Sequence, residues 1–135
     1  MNVKGSCHCG QITYEAVIDP EKVSICHCTD CQTFSGSAYR VAVPAPKETF
    51  SLLTGQPKIY IKTAESGKQR AQAFCSNCGS PIYASDVKDP QVYGLRVGCL
   101  DQRAELRPKR QIWCSTALAW AMDLKDIPQI SRQQS

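Results

Sequence analysis

From Gln11 to Ile18 the chain alternates apolar Ile12, Tyr14, Ala16 and Ile18 with polar Thr13 and Glu15. That two-residue period predicts a strand with one buried face. Asp19-Pro20-Glu21 closes it as a turn. Val23 to Ile25 leads on to a cysteine-rich segment, and Thr33 to Ser37, with Gly36, reads as the loop leaving that segment. Ala38 to Val43 predicts a strand ended by Pro44-Ala45-Pro46, and Thr49 to Leu53 another before a turn at Thr54-Gly55. In Pro57 to Thr63, Ile59 and Ile61 alternate with Lys58, Tyr60 and Lys62; Ser66-Gly67 then predicts a hairpin turn into Gln69 to Phe74. Further strands are expected at Pro81 to Ala84, Val92 to Leu100 and Leu106 to Cys114. Thr116 to Lys125 alone favours a helix by propensity. Short strands with turns every eight to twelve residues predict a mainly β domain with little helix, over residues 1–130, followed by a polar tail at 131–135.

Composition adds one anomaly. The chain of 135 residues holds nine cysteines, far above ordinary usage. The N-terminal segment has no apolar run of the kind that forms a signal peptide, and an odd number of cysteines cannot all pair as disulfides. Metal-bound thiolates in a reducing cytoplasm fit better. No apolar run approaches the roughly 18 residues that cross a bilayer, so no membrane contact is expected.

Seven of the nine cysteines fall into three short motifs. Cys7 and Cys9 form C-x-C, Cys26, Cys28 and Cys31 form C-x-C-x-x-C, and Cys75 and Cys78 form C-x-x-C followed by Gly79. Such spacings let a turn bring sulfurs to one point, where zinc takes four tetrahedral donors. Seven ligands divide into four and three, a closed site and one with an open position. A closed thiolate shell is the structural kind of zinc site; three protein ligands leave room for substrate. Which motifs share an ion does not follow from spacing.

The metal also changes the electrostatic picture. The formal net charge is +4, and seven thiolates with two Zn²⁺ would bring it to about +1. No nucleic-acid partner is expected on that balance. A local cluster of Arg103, Arg107, Lys109 and Arg110 reads as a solvated segment or as a contact for substrate carboxylates.

Taken together, GSCHCG (Gly5 to Gly10), CHCTDC (Cys26 to Cys31), FCSNCGS (Phe74 to Ser80) and the closing IW…W…D-IPQ pattern resemble the glutathione-dependent formaldehyde-activating enzymes, a family related to centromere protein V. The resemblance spans Gly5 to Gln129 and implies several small antiparallel sheets around zinc, a β-tent-like fold. It assigns Cys7, Cys9, Cys75 and Cys78 to a structural zinc, and Cys26, Cys28 and Cys31 to a catalytic, more labile one. Two positions depart from the family pattern: Gln111 stands where a histidine is common, and Cys114 where a non-cysteine is usual.

The implied reaction is a carbon–sulfur lyase-type one, addition of glutathione or another small thiol to formaldehyde or a small aldehyde. The thiol would enter the open position, and three protein thiolates would keep it nucleophilic. His27 and Asp30, inside the triplet, are candidates to relay protons or orient ligands, or else turn residues facing solvent. Cys99, Cys114, Trp113 and Trp120 read as core. A non-catalytic alternative has two structural zincs and a partner-binding role, with Cys99, Cys114 or His27 as the eighth ligand. A redox role for either C-x-x-C would call for a βαβ setting that the strand pattern does not offer.

Overall fold

The computed structural model describes residues 1–133; the last two positions of the expected polar tail lie outside the described residues. Among the described residues, ten strands form two sheets. The smaller has the order β1 (Asn2–Ser6), β2 (Thr13–Val17), β5 (Ser51–Thr54). The larger runs β10 (Arg110–Ile112), β3 (Ser24–Cys26), β4 (Arg40–Pro46), β9 (Val92–Arg96), β8 (Pro81–Asp86), β7 (Gln69–Phe74), β6 (Lys58–Thr63). All pairings are antiparallel except β10 on β3, which is parallel. The fold is mainly β, with one α-helix, α1 (Thr29–Ser35).

The core lies where the sheets face each other. Ile12, Tyr14, Ala16 and Ile18 are all buried, as their alternation predicts, and with Val3 of β1 they meet Val43, Ala45, Ile82 and Leu95 of the large sheet. Phe50 extends this core by stacking on Tyr93 at 4.7 Å and meeting Tyr83 edge-on at 5.6 Å, geometries aromatic rings favour.

Several sequence expectations need correction. The first strand, Asn2–Ser6, was not among the predicted ones, because only Val3 and Gly5 face inward and one of them has no side chain. The stretch read as a loop at Thr33 to Ser37 is mostly helix α1, with Cys28 as N-cap, its sulfur accepting from the Cys31 N–H at 3.2 Å. Gly36, at φ 62°, closes the helix in the left-handed region. β4 does not stop at Val43 but runs on through Pro44 to end at Pro46. β3 pairs with β4 only as far as Ala42, so both prolines sit where β4 has a partner on one side alone. The Val92 to Leu100 strand stops at Arg96, and Cys99 sits in the following 3₁₀ turn. Leu106 to Cys114 contributes only Arg110–Ile112 to a sheet. Thr116 to Lys125 forms successive turns, with Ala121 its one buried side chain, which is too little apolar burial to hold a helix. No helix among the described residues is long and apolar enough to cross a membrane.

Candidate metal centres and the cavity between the strands

The turns of the two sheets bring the first group of sulfurs together. Cys7 and Cys9 leave β1 on the turn to β2, while Cys75 and Cys78 lie on the turn between β7 and β8. Backbone bonds shape the second turn: Gly79 N–H donates to Cys75 O at 2.8 Å and Cys75 N–H to Ser80 O at 2.9 Å, with Gly79 at φ 80°. All four sulfurs lie within 4.8 Å of one another, with Cys7–Cys9 at 3.5 Å and Cys9–Cys75 at 3.7 Å. A tetrahedral ion with metal–sulfur bonds of about 2.3 Å separates its sulfurs by about 3.8 Å. The donor set therefore fits zinc, and an ion there would tie the two sheets together. The Ser80 hydroxyl, 3.3 Å away, holds the Cys78 thiol down at about 5, and the Asn77 side chain lowers Cys9. Both shifts favour the thiolates a metal needs.

Strand β3 and helix α1 build the second group. Cys26 ends β3, Cys28 caps the helix and Cys31 lies in its first turn, placing the three sulfurs within 4.8 Å. No fourth Cys, His, Asp or Glu among the described residues joins them. The Cys26 thiol, followed by Cys28 and the charges of Arg40 and Arg96, holds Cys31 down at about 5, while Cys26 is pushed up. One thiolate thus persists at neutral pH without metal.

The candidates for an eighth ligand fall elsewhere. His27 points away from the sulfurs into the protein, buried at 1% exposure, and shares a 2.7 Å hydrogen bond between Nε2 and Gln111 Oε1. Its carbonyl accepts from Gln32 Nε2 and from the Thr116 hydroxyl, and its N–H donates to Ile112 O. His27 is thus the pin between the triplet and β10, not a solvent-facing turn residue. Asp30 is exposed and pairs with Lys62 at 2.6 Å. Cys99 is half-buried and donates its S–H to Pro81 O at 3.2 Å; Cys114 is exposed, contrary to the core reading. Trp113 and Trp120, also expected in the core, are 61% and 58% exposed.

Cys26 and Cys31 open onto a cavity of about 530 Å³ on one face of the large sheet. Cross-strand register builds that face. Ile112, Cys26 and Arg40 form one row across β10, β3 and β4; Arg110, Ser24, Ala42 and Arg96 form the next. At the far side Lys62, Arg70 and Asp86 align across β6, β7 and β8. Five cations line it with one carboxylate, Asp86, which Arg70 holds at 2.8 Å, while Lys62 is paired with Asp30 outside the lining. The remaining positive charge favours an anion. Of the basic residues singled out in sequence, Arg110 alone reaches it; Arg103 donates to Leu100 O and Lys109 pairs with Glu21. Arg40, Lys62, Arg70 and Arg96 went unnoticed. Their only trace in sequence is the polar half of a strand period, as in Arg70 and Gln72 against buried Ala71 and Ala73.

Two clusters of convergent cysteines, one with four sulfurs and one with three at the rim of a basic cavity, define a mainly β protein with two candidate metal centres. The chain belongs to the glutathione-dependent formaldehyde-activating enzyme family, whose model matches residues 2–116. It is 26% identical over 115 residues to a Halomonas elongata protein named provisionally as such an enzyme, covering 82% of this chain and 73% of that one. It is 29% identical over 80 residues to an uncharacterised lyase of Schizosaccharomyces pombe, covering 59% of this chain and 55% of that protein. A crystal structure of a Rhodobacter sphaeroides protein has the same fold, with a TM-score of 0.62 at 20% identity over 80% of this chain and 98% of that one.

Proposed function

We propose that the protein catalyses addition of a thiol, glutathione or a close anionic relative, to formaldehyde or another small aldehyde. In this reaction a carbon–sulfur bond forms, the carbonyl π bond opens and the thiol proton ends on the resulting hydroxyl. The observation that carries the reading is the three-sulfur group at the rim of a cavity lined by five cations. Cys7, Cys9, Cys75 and Cys78 would hold a structural zinc, and Cys26, Cys28 and Cys31 a catalytic one. Zinc at the triplet would supply an open position at which an incoming thiol loses its proton near neutral pH. Arg110 and Lys62 would orient the carboxylates of the thiol, and His27 with Gln111 would fix the triplet from behind. A reduced-thiol substrate suits the cytoplasm, where thiols stay reduced and available to metal.

The test is exchange NMR of glutathione with formaldehyde in the presence of zinc-loaded protein, which separates catalysed from spontaneous exchange. Wild type should accelerate exchange in both directions, and Cys31→Ser should return it to the spontaneous rate. Lys62→Gln should raise the KM for glutathione several-fold and leave that for uncharged mercaptoethanol unchanged. Equal exchange with and without protein would rule the activity out.

A further inference from the structure

The cavity at the triplet has a neighbour. On the far side of Arg40, Gln72 and Arg96 lies a second cavity of about 290 Å³ that none of the triplet sulfurs lines. Phe34, Tyr60, Phe74 and Pro81 line it, and Tyr83 borders it from β8, its ring packing into the core on Phe50 and Tyr93. Phe34 and Tyr60 stand 6.0 Å apart, and both are partly exposed, so this side is open to solvent. No Asp or Glu lines it.

The polar end of this cavity lacks a partner. Arg40 is 5% exposed, and its Nε makes no hydrogen bond among the described residues; the Arg96 Nε is likewise buried and unpartnered. Arg96 donates through Nη2 to the neutral Gln72 Oε1 at 2.9 Å, and neither guanidinium has a carboxylate in ion-pair range among the described residues. A buried guanidinium without an anion is costly. The triplet answers only part of this charge. Three thiolates around one Zn²⁺ carry a net single negative charge against two guanidiniums, so one positive charge remains. A carboxylate is the anion whose paired oxygens match a guanidinium fork, and the ring-lined walls select an apolar body to carry it.

We propose that this second cavity binds a small aromatic or apolar monocarboxylate, with its body among Phe34, Tyr60 and Phe74 and its carboxylate on Arg40 and Arg96. The site goes beyond the thiol–aldehyde reading, because formaldehyde has no apolar body and glutathione has no ring. It is tested by binding alone, so either idea can fail without the other.

Isothermal titration calorimetry of phenylacetate, acetate and 2-phenylacetamide into the zinc-loaded protein provides the test. Phenylacetate is expected to bind at least about tenfold more tightly than acetate, which lacks the ring, or the amide, which lacks the charge. Tyr60→Ala removes a wall from an exposed edge strand, and Arg96→Gln removes a cation; each should weaken phenylacetate by about tenfold or more, with circular dichroism confirming the fold. If Arg96→Gln does not fold, Tyr60→Ala and the two control ligands still decide. Absence of phenylacetate binding at millimolar concentration, equal affinity for all three ligands, or affinity unmoved by Tyr60→Ala would overturn the proposal.

Discussion

Gln111 and His27 illustrate how much one side chain can hold in place. His27 sits between two metal-ligating candidates yet faces the interior, where Gln111 Oε1 at 2.7 Å is its only side-chain partner and Nδ1 has none among the described residues. Replacing Gln111 with Leu leaves both ring nitrogens unpaired in a buried place. Urea unfolding should show a loss of about 1–3 kcal/mol, and unchanged stability would show that the hydrogen bond contributes nothing. The convergence of the sulfurs was legible because metal coordination favours short spacings. The inward turn of His27 was not, since Gln111 of β10 and the Tyr39 ring, 5.5 Å from the imidazole, meet it only in the fold. The exposure of Trp113 and Trp120 was hidden for a related reason: ring size argues for burial, whereas the segment after Cys114 runs along the surface with little beneath it.

Among the elements, the β1–β2 pair shows how a strand can lack a visible signature. Gly5 stands opposite Tyr14 in register, and a Cβ at Gly5 would overlap the Tyr14 ring, itself 1% exposed. Gly5→Ala should therefore cost about 1–3 kcal/mol through forced displacement of that ring, read as a lowered denaturation midpoint. A neutral effect would mean the sheet yields more than its packing implies. Helix α1 escaped detection because Thr29, Asp30, Thr33 and Ser35 have poor helix propensity and its cap is a cysteine sulfur. The strands with one clear buried face, such as β2, were readable; the cations of the cavity were not. Arg40, Arg70 and Arg96 are far apart in the chain, and only the register of β4, β7 and β9 gathers them.

Across the molecule, the two cysteine groups hold different things. The four-sulfur group brings a turn of the small sheet to a turn of the large one, between Cys9 and Cys75, 66 positions apart, and an ion there would close that long loop and favour the folded chain. The triplet lies within one edge of the large sheet and its helix. Both groups contain a thiol lowered to about 5, Cys78 and Cys31. A lowered pKa keeps these two thiols available as thiolates at neutral pH, and protons compete with zinc for them, so zinc should stay bound at neutral pH and be released only on acidification to about 5 or below. Titration with a colourimetric chelator would follow this, and release of both ions already near neutral pH would contradict it. The most direct measurement is zinc content together with thermal unfolding for wild type, Cys26→Ser/Cys28→Ser and Cys9→Ser/Cys78→Ser. Two zincs in wild type, loss of one with the fold kept in the triplet variant, and collapse of the other variant are expected. Unfolding of the triplet variant, with both wild-type ions equally tight and unmoved by glutathione, would instead make both centres structural.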